Sequence, residues 1–241
     1  MTEEDFFEYY ISSHNRGHES NDYYNVCLSV YNNISSSIPE LPFSNAWVVK
    51  TISKSLPDNS VVHIGILNSS RSWHYFDVNT DVEFYSNSGT YGIDGIMSAF
   101  LGSCLSTPSR LHYLFIGDLS FFYDINSLGN KHFPKNARII LVNNGCGAEF
   151  KIFHNSAYEL GDSANDYISA MGHFGNKSKR LVKDFAKNLN FEYISASTKE
   201  EFEMHLSKFF EPINDKSIIF EVFTDHKNEN KALELLSSIV V

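Results

Sequence analysis

Two apolar runs, each closed by glycine, acid and amide residues, constrain this chain more than any other feature. The first, Leu114-Phe115-Ile116, ends in Gly117-Asp118-Leu119-Ser120. The second, Arg138-Ile139-Ile140-Leu141-Val142, ends in Asn143-Asn144-Gly145-Cys146-Gly147. Both are short for a helix, and apolar on both faces, as a fully buried strand is. The segment between them can serve as a crossover. Ser120 suits an N-cap, and Gly129, Asn130 and Pro134 stop the crossover helix near Leu128. Asp118 and Asn144 then fall just past the carboxyl ends of two strands, the edge at which open α/β sheets take ligands.

The rest of the chain repeats this alternation. Strands are expected at Val61 to Ile66, Val82 to Tyr85, His112 to Ile116, Arg138 to Val142, Phe191 to Ser195 and Ile218 to Phe223. Between them lie helical patterns. Met97, Phe100 and Leu101 point inward from one running Ile96 to Leu105, and Leu181, Val182, Phe185, Ala186 and Leu189 mark another. Phe202, Leu206 and Phe209 share one face of a third, and the last, from Glu229 to Ile239, buries Leu233, Leu235, Leu236 and Ile239. The expected fold class is α/β, a six-stranded parallel sheet with helices on both faces. Residues 1–45 read as a helical attachment from a preceding domain, and 46–241 as the α/β domain. In the attachment, Tyr24, Cys27, Leu28, Tyr31 and Ile34 recur at helical spacing from Asn21 to Ser36, and Phe6, Phe7, Tyr9 and Tyr10 crowd the start; core packing is the expected use of these aromatics. Ser44 caps a further helix whose apolar face is Trp47, Val48, Ile52 and Leu56.

A net charge of −10 argues against nucleic acid or an anionic membrane as partner. No apolar run approaches the ~20 residues of a membrane helix. The start Met1-Thr2-Glu3-Glu4-Asp5 has neither the basic nor the apolar region of a signal peptide. Cys27, Cys104 and Cys146 are odd in number and widely spaced, which points to reduced thiols and a cytoplasmic location, with no CxxC metal site.

The strand-end residues suit one chemistry. A diphosphate needs its charge neutralised, which a small hard cation with oxygen ligands does well; Mg²⁺ accepts carboxylate, amide, carbonyl and phosphate oxygens in an octahedron. Asp118 can give a carboxylate, Asn144 an amide oxygen and Cys146 a main-chain carbonyl. Gly145 and Gly147 let the backbone come close, and the helix start near Ser120 would add N–H donors.

These residues also carry a resemblance. Gly117-Asp118-Leu119-Ser120, Tyr123-Asp124-Ile125-Asn126, Asn143 to Gly147 and the block Ser86-Asn87-Ser88-Gly89-Thr90-Tyr91-Gly92-Ile93-Asp94-Gly95 occur in order. Together they resemble the diphosphate-binding domain of thiamine diphosphate (ThDP) enzymes, and within these the menaquinone-pathway succinyl-enolpyruvyl-hydroxycyclohexene-carboxylate synthase family. The resemblance covers roughly Ala46 to the C-terminus. It implies ThDP and Mg²⁺ as cofactors, with cofactor contacts from Gly117, Asp118, Leu119, Ser120, Asn144, Cys146, Ile93, Asn87 and Ser69, and metal ligation by Asp118, Asn144 and Cys146. Ile93 matches the isoleucine that props the cofactor rings into a bent shape.

The resemblance further implies a 2-oxoacid decarboxylating, carbon–carbon bond-forming activity whose activating glutamate lies on another domain or chain. No catalytic residue of this chain follows from the resemblance. The expected partners are a pyrimidine-binding domain or subunit and a second copy of the chain, as a dimer. The alternatives are a decarboxylase subunit for another 2-oxoacid and a non-catalytic binding or regulatory module that keeps the fold. Two departures from the family stand out. Ser88 replaces one arginine that contacts substrate. Trp73 occupies the ungapped position of another, with Arg71 two residues before it. Glu149 is expected to face the site or its lid, and His154 and His173 are general-acid candidates by residue type alone.

Overall fold

The computed structural model describes residues 2–13, 22–89, 92–173 and 178–239. Two compact units make up the chain, one holding Met1–Ile38 with Ile239–Val241 and the other Pro39–Ser238. The first contains helices Glu3–Ser13 and Asp22–Ser36, neither with a buried side chain. Phe6 stacks on Tyr10 within its own helix, while Phe6, Phe7, Tyr9, Tyr10, Tyr24, Leu28 and Tyr31 stay exposed. The expected core packing of these aromatics is therefore absent among the described residues. A helix presents one apolar stripe and cannot cover it by itself.

The second unit is built on a six-stranded sheet. Its strands are β1 (Val61–Ile64), β2 (Glu83–Ser86), β3 (His112–Gly117), β4 (Ala137–Asn143), β5 (Glu192–Ala196) and β6 (Ile218–Phe223). Every pairing is parallel, and the order is β2-β1-β3-β4-β6-β5. β3, β4 and most of β6 are buried along their length, which is why their sequences read as unbroken apolar runs.

Alternate residues face opposite helical layers. On one face Leu114, Ile116, Ile139, Leu141 and Ile219 pack with Met97, Phe100, Phe121, Val182 and Ala186 from helices Ile96–Ser106, Asp118–Tyr123 and Leu181–Asn188. On the other, the Phe202 ring stacks on Phe220 at 4.8 Å and Phe209 meets Tyr113 at 5.8 Å, from helix Lys199–Phe209. Helix Asn45–Ile52 starts at Ser44, whose side chain accepts from Trp47 N as the sequence predicts. The last helix, His226–Ser237, begins three residues before its expected start, because Asp225 caps the backbone N–H groups of Lys227 and Asn228.

The chain leaves β1 for β2 on one side and returns to β3 on the other. The β1/β3 boundary is thus a topological switch point, where the loops diverge and open a crevice above the carboxyl ends.

Candidate functional site

A cavity of about 100 Å³ lies at that switch point. Its walls are the turn Gly65–Ser69 after β1, Gly117–Ser120 after β3 and the loop Asn144–Phe150 after β4, completed by Ile93 and Asn45. Asp118 organises it. This carboxylate is almost fully buried, at 2% exposure. Its Oδ1 accepts from Leu119 N at 2.9 Å, and its Oδ2 from Gly145 N at 2.7 Å and His173 Nε2 at 2.6 Å. Burial of a charge demands such donors, and here they join the β3 end to the loop after β4.

That loop is closely fitted. Gly145 has φ +76°, which an L side chain rarely adopts. A Cβ on Gly147 would lie 3.2 Å from the Phe150 ring and 3.3 Å from Leu119, whereas one on Gly117 would meet nothing within 4 Å. The Asn144 Oδ1 accepts from Cys146 N at 3.3 Å, and the Cys146 carbonyl from Ala148 N at 2.9 Å. Burial, followed by the nearby Asp118 charge, pushes the Cys146 thiol up to about 12, so it is no nucleophile at neutral pH.

The donor set fits a hard divalent cation. A carboxylate has about four lone-pair directions and a carbonyl two. Asp118 uses three and the Cys146 carbonyl one, while Asn144 Oδ1 takes Cys146 N at 3.3 Å and, weakly, the Cys146 thiol at 3.8 Å, a contact a cation would replace. All are oxygens, as Mg²⁺ prefers. Among the described residues no group of three His, Cys, Asp or Glu could hold a metal. A cation here would therefore rest on one carboxylate, completed by amide, carbonyl and ligand oxygens, and it would share Asp118 with His173.

Of the other residues singled out by sequence, Gly117, Leu119, Ser120, Ile93 and Ser69 line the cavity, as do Asn68 and Glu149. Asn87 does not; it is half-buried beyond the walls. Ser120 is not the N-cap. Gly117 takes that position, with φ −79° and ψ 161°, and the helix starts at Asp118. Ser120 Oγ instead donates to the Ile93 carbonyl at 2.5 Å, pinning the glycine block beside the cavity. This helix has six residues, too few for a strong terminal dipole. Thr90 and Tyr91 of the glycine block lie outside the described residues. Asp124 holds the start of helix Ile96–Ser106 by accepting from Ser98 N at 2.6 Å and Ser98 Oγ at 2.9 Å, so that block is structural.

Trp73 packs edge-on against Phe84 and Phe115 and is buried. It is Arg71 that reaches the rim, through a two-point ion pair with Glu149. His154 is stacked beside Phe153, with Nε2 3.4 Å from Ser237 Oγ.

Sequence reasoning missed two carboxylates behind the walls. Glu229, 1% exposed, accepts from Asn45 N at 3.0 Å, Asn68 Nδ2 at 3.3 Å and Thr224 Oγ1 at 2.7 Å. Burial outweighs these donors and raises its pKa to about 7. It fastens two residues of the cavity wall to the end of β6. Glu221 on β6 accepts from Asn143 Nδ2 at 2.8 Å and the Tyr193 hydroxyl at 2.6 Å, and burial raises its pKa as well. No local pattern marks Glu229, whose partners Asn45 and Asn68 are 184 and 161 residues away. For Glu221 the available signal was a lone charge inside an apolar strand.

No family model matches the sequence. Curated relatives do. The 2-succinyl-5-enolpyruvyl-6-hydroxy-3-cyclohexene-1-carboxylate synthase of Bacteroides fragilis is 32% identical over 200 residues, which is 82% of this chain and 34% of that protein. The synthases of Christiangramia forsetii and Flavobacterium psychrophilum are 31% and 33% identical, over 80% and 78% of the chain. The chain thus spans about a third of the length of the curated relatives it matches. Among solved structures, the thiamine diphosphate-dependent 4-hydroxybenzoylformate decarboxylase of Rhodococcus jostii superposes with a TM-score of 0.59 at 19% identity, covering 78% of this chain and 33% of that one. A thiamin diphosphate-dependent enzyme of Mycobacterium smegmatis gives 0.57 at 17%, covering 76% and 32%. With the fold of thiamine diphosphate-dependent enzymes and this sequence kinship, the chain is a domain related to the 2-succinyl-5-enolpyruvyl-6-hydroxy-3-cyclohexene-1-carboxylate synthases.

Proposed function

We propose that the carboxyl edge of this sheet binds the diphosphate end of ThDP through Mg²⁺, and that the chain is one half of the site of a 2-oxoacid decarboxylating, carbon–carbon bond-forming transferase. The observation that carries this reading is the convergence of Asp118 and the Asn144–Gly147 turn at the switch point, locked by the Gly145 N to Asp118 Oδ2 hydrogen bond. ThDP supplies the carbanion equivalent and electron sink of such reactions. The chain's own residues bind and orient. Asp118, Asn144 Oδ1 and the Cys146 carbonyl present oxygens to the cation. Gly117 leaves the wall open to phosphate oxygens, and Ile93, Leu119 and Phe150 provide an apolar lining that excludes water.

Both carboxylates on the cavity wall are engaged, Asp118 by three donors and Glu149 by Arg71. This supports the view that the activating carboxylate is contributed by a pyrimidine-binding domain or subunit, in an assembly that includes a second copy of the chain. A volume near 100 Å³, below the ~300 Å³ at which whole-ligand pockets begin, fits a site closed from another side. The loss of the family arginine at Ser88, which is exposed, favours a 2-oxoacid other than that of the synthases. His173 on Asp118 favours a second reading, a non-catalytic module whose metal ligand is held by an internal base.

Calorimetric titration of the full chain with ThDP, with and without Mg²⁺, separates these. The first reading expects binding only with Mg²⁺. Metal-independent affinity, or no binding at millimolar ThDP with Mg²⁺ present, would leave the non-catalytic reading.

A further inference from the structure

The cavity rim carries a charge arrangement that the metal and diphosphate do not use. Helix Asn68–Trp73 follows β1 and carries Arg71, which meets the cavity-lining Glu149. The residue before it, Leu67, lines the cavity with φ 60° and ψ −121°, a region that costs a branched side chain strain. Its carbonyl accepts from Arg71 N at 2.9 Å, so the strained turn and the arginine are one unit. From the opposite wall, after β4, Glu149 meets it. Arg71 Nη1 donates to Oε2 at 2.9 Å and Nη2 to Oε1 at 3.1 Å, a parallel two-point contact across the end of the intervening strand β3.

Glu149 is only 17% exposed and Arg71 32%, so the pair is shielded from much of the solvent screening that weakens surface ion pairs. The described cavity walls contain no arginine and no lysine, and Arg71 stands behind them on Glu149. A ligand carboxylate arriving at this rim would find its only guanidinium already forked by a carboxylate of matching shape. That competitor is tethered, and tethered groups act at effective concentrations of about millimolar and above.

Resting on the reading of this edge as one half of a 2-oxoacid site, with the diphosphate in the cavity and the substrate at its rim, we propose that Glu149 is a specificity-determining residue. It masks Arg71, so that the site turns away compounds carrying a second, side-chain carboxylate and takes 2-oxoacids whose side chain is uncharged. A neutral side chain loses nothing at a neutral rim, whereas a carboxylate must displace Glu149 and leave it unpaired beside Asp118. Glu149 is thus the element that discriminates, and Arg71 is the receptor it covers.

The test needs neither ThDP nor Mg²⁺, so it stands or falls separately from the proposed function. Glutarate serves as the dicarboxylate probe, titrated by NMR into the full chain, Glu149→Ala, Glu149→Gln and the double variant Arg71→Gln/Glu149→Ala. Unmasking is expected to tighten glutarate binding by about tenfold in Glu149→Ala, by less in Glu149→Gln, and to be abolished in the double variant. Amide dispersion in the same spectra verifies folding, and Glu149→Gln carries the test if Glu149→Ala does not fold. Equal affinity of the unsubstituted chain and the Glu149 variants, or a gain that survives loss of Arg71, overturns the proposal.

Discussion

The two edges of the sheet solve opposite electrostatic problems. At the amino edge Arg138 is buried, Arg110 is half-buried, and His112 is buried against Thr107. Arg138, with no exposed surface, donates to the carbonyls of Lys135, Ala137 and Glu211 at 3.0–3.1 Å. Arg110 donates to the carbonyls of Asn59 and Ser60 and to Glu83. At the carboxyl edge three carboxylates are buried, Asp118, Glu221 and Glu229, with Glu149 on the rim; the buried Lys151 beyond β4 donates to the Gly161 carbonyl. The carboxylates' partners are N–H and O–H donors from loops and, for Glu221, from the neighbouring strands β4 and β5. The arginines tie distant chain segments together, Arg110 to the start of β1 and Arg138 to Glu211. The carboxylates draw three loops around a cavity that Asp118 lines. The amino edge sets arginine beside an open concavity of about 630 Å³, and the carboxyl edge sets Asp118 and other oxygens around a smaller one, where a cation is favoured.

The contrast breaks first at Asp118. Asp118→Asn keeps the side-chain shape and removes the charge, and should weaken Mg²⁺-dependent ThDP binding by at least about 100-fold, more than loss of a supporting residue costs. Calorimetry measures it, with circular dichroism to establish that the fold persists. An unchanged affinity would mean that this edge is no more a ligand site than the other.

Glu229 gives the next largest effect, read as pH dependence. Its folded pKa is raised from 4.5 to about 7, so the folded state binds its proton more tightly than the unfolded state does. The stability it contributes is complete below pH 4.5, falls as pH rises, and is gone above about 7. The span is about 3 kcal/mol. Glu229→Gln should therefore flatten the decline between pH 4.5 and 8, as followed by urea unfolding at several pH values. A decline of unchanged slope would show that Glu229 is not the group responsible.

The amino edge supplies the control. Arg138→Met should destabilise the fold by about 2 kcal/mol, because it strands buried carbonyls, yet leave ThDP affinity as it was once folding is complete. Asp124→Ala, which releases the start of helix Ile96–Ser106, should cost about 1 kcal/mol in the same unfolding assay.

Much of this contrast was legible in the sequence, and the limits are physical. The buried strands announced themselves because strands covered on both faces must be apolar throughout, and Ser44 was found as a cap because capping is local. That Gly117, Asp118 and the Asn144–Gly147 turn meet at one cavity was legible because a strand followed by glycine and a side-chain oxygen is a local pattern. Ser120 was misplaced by three residues because Gly117 reaches the extended N-cap conformation without a side-chain bond. Arg71 could not be told from Trp73 as the residue at the rim until the turn at Leu67 fixed the helix phase. Glu229 was invisible because its role consists of contacts with Asn45, Asn68 and Thr224, which only the closed fold brings together.

The most direct test of the central claim is to locate the cation. Substoichiometric Mn²⁺, added with ThDP to the ¹⁵N-labelled chain, broadens amide signals near the site it occupies. The account predicts that Leu119, Gly145 and Cys146 broaden first, while Arg110 and Arg138 at the far edge keep their intensity. Equal broadening at both edges, or none at Leu119 and Gly145, would contradict it.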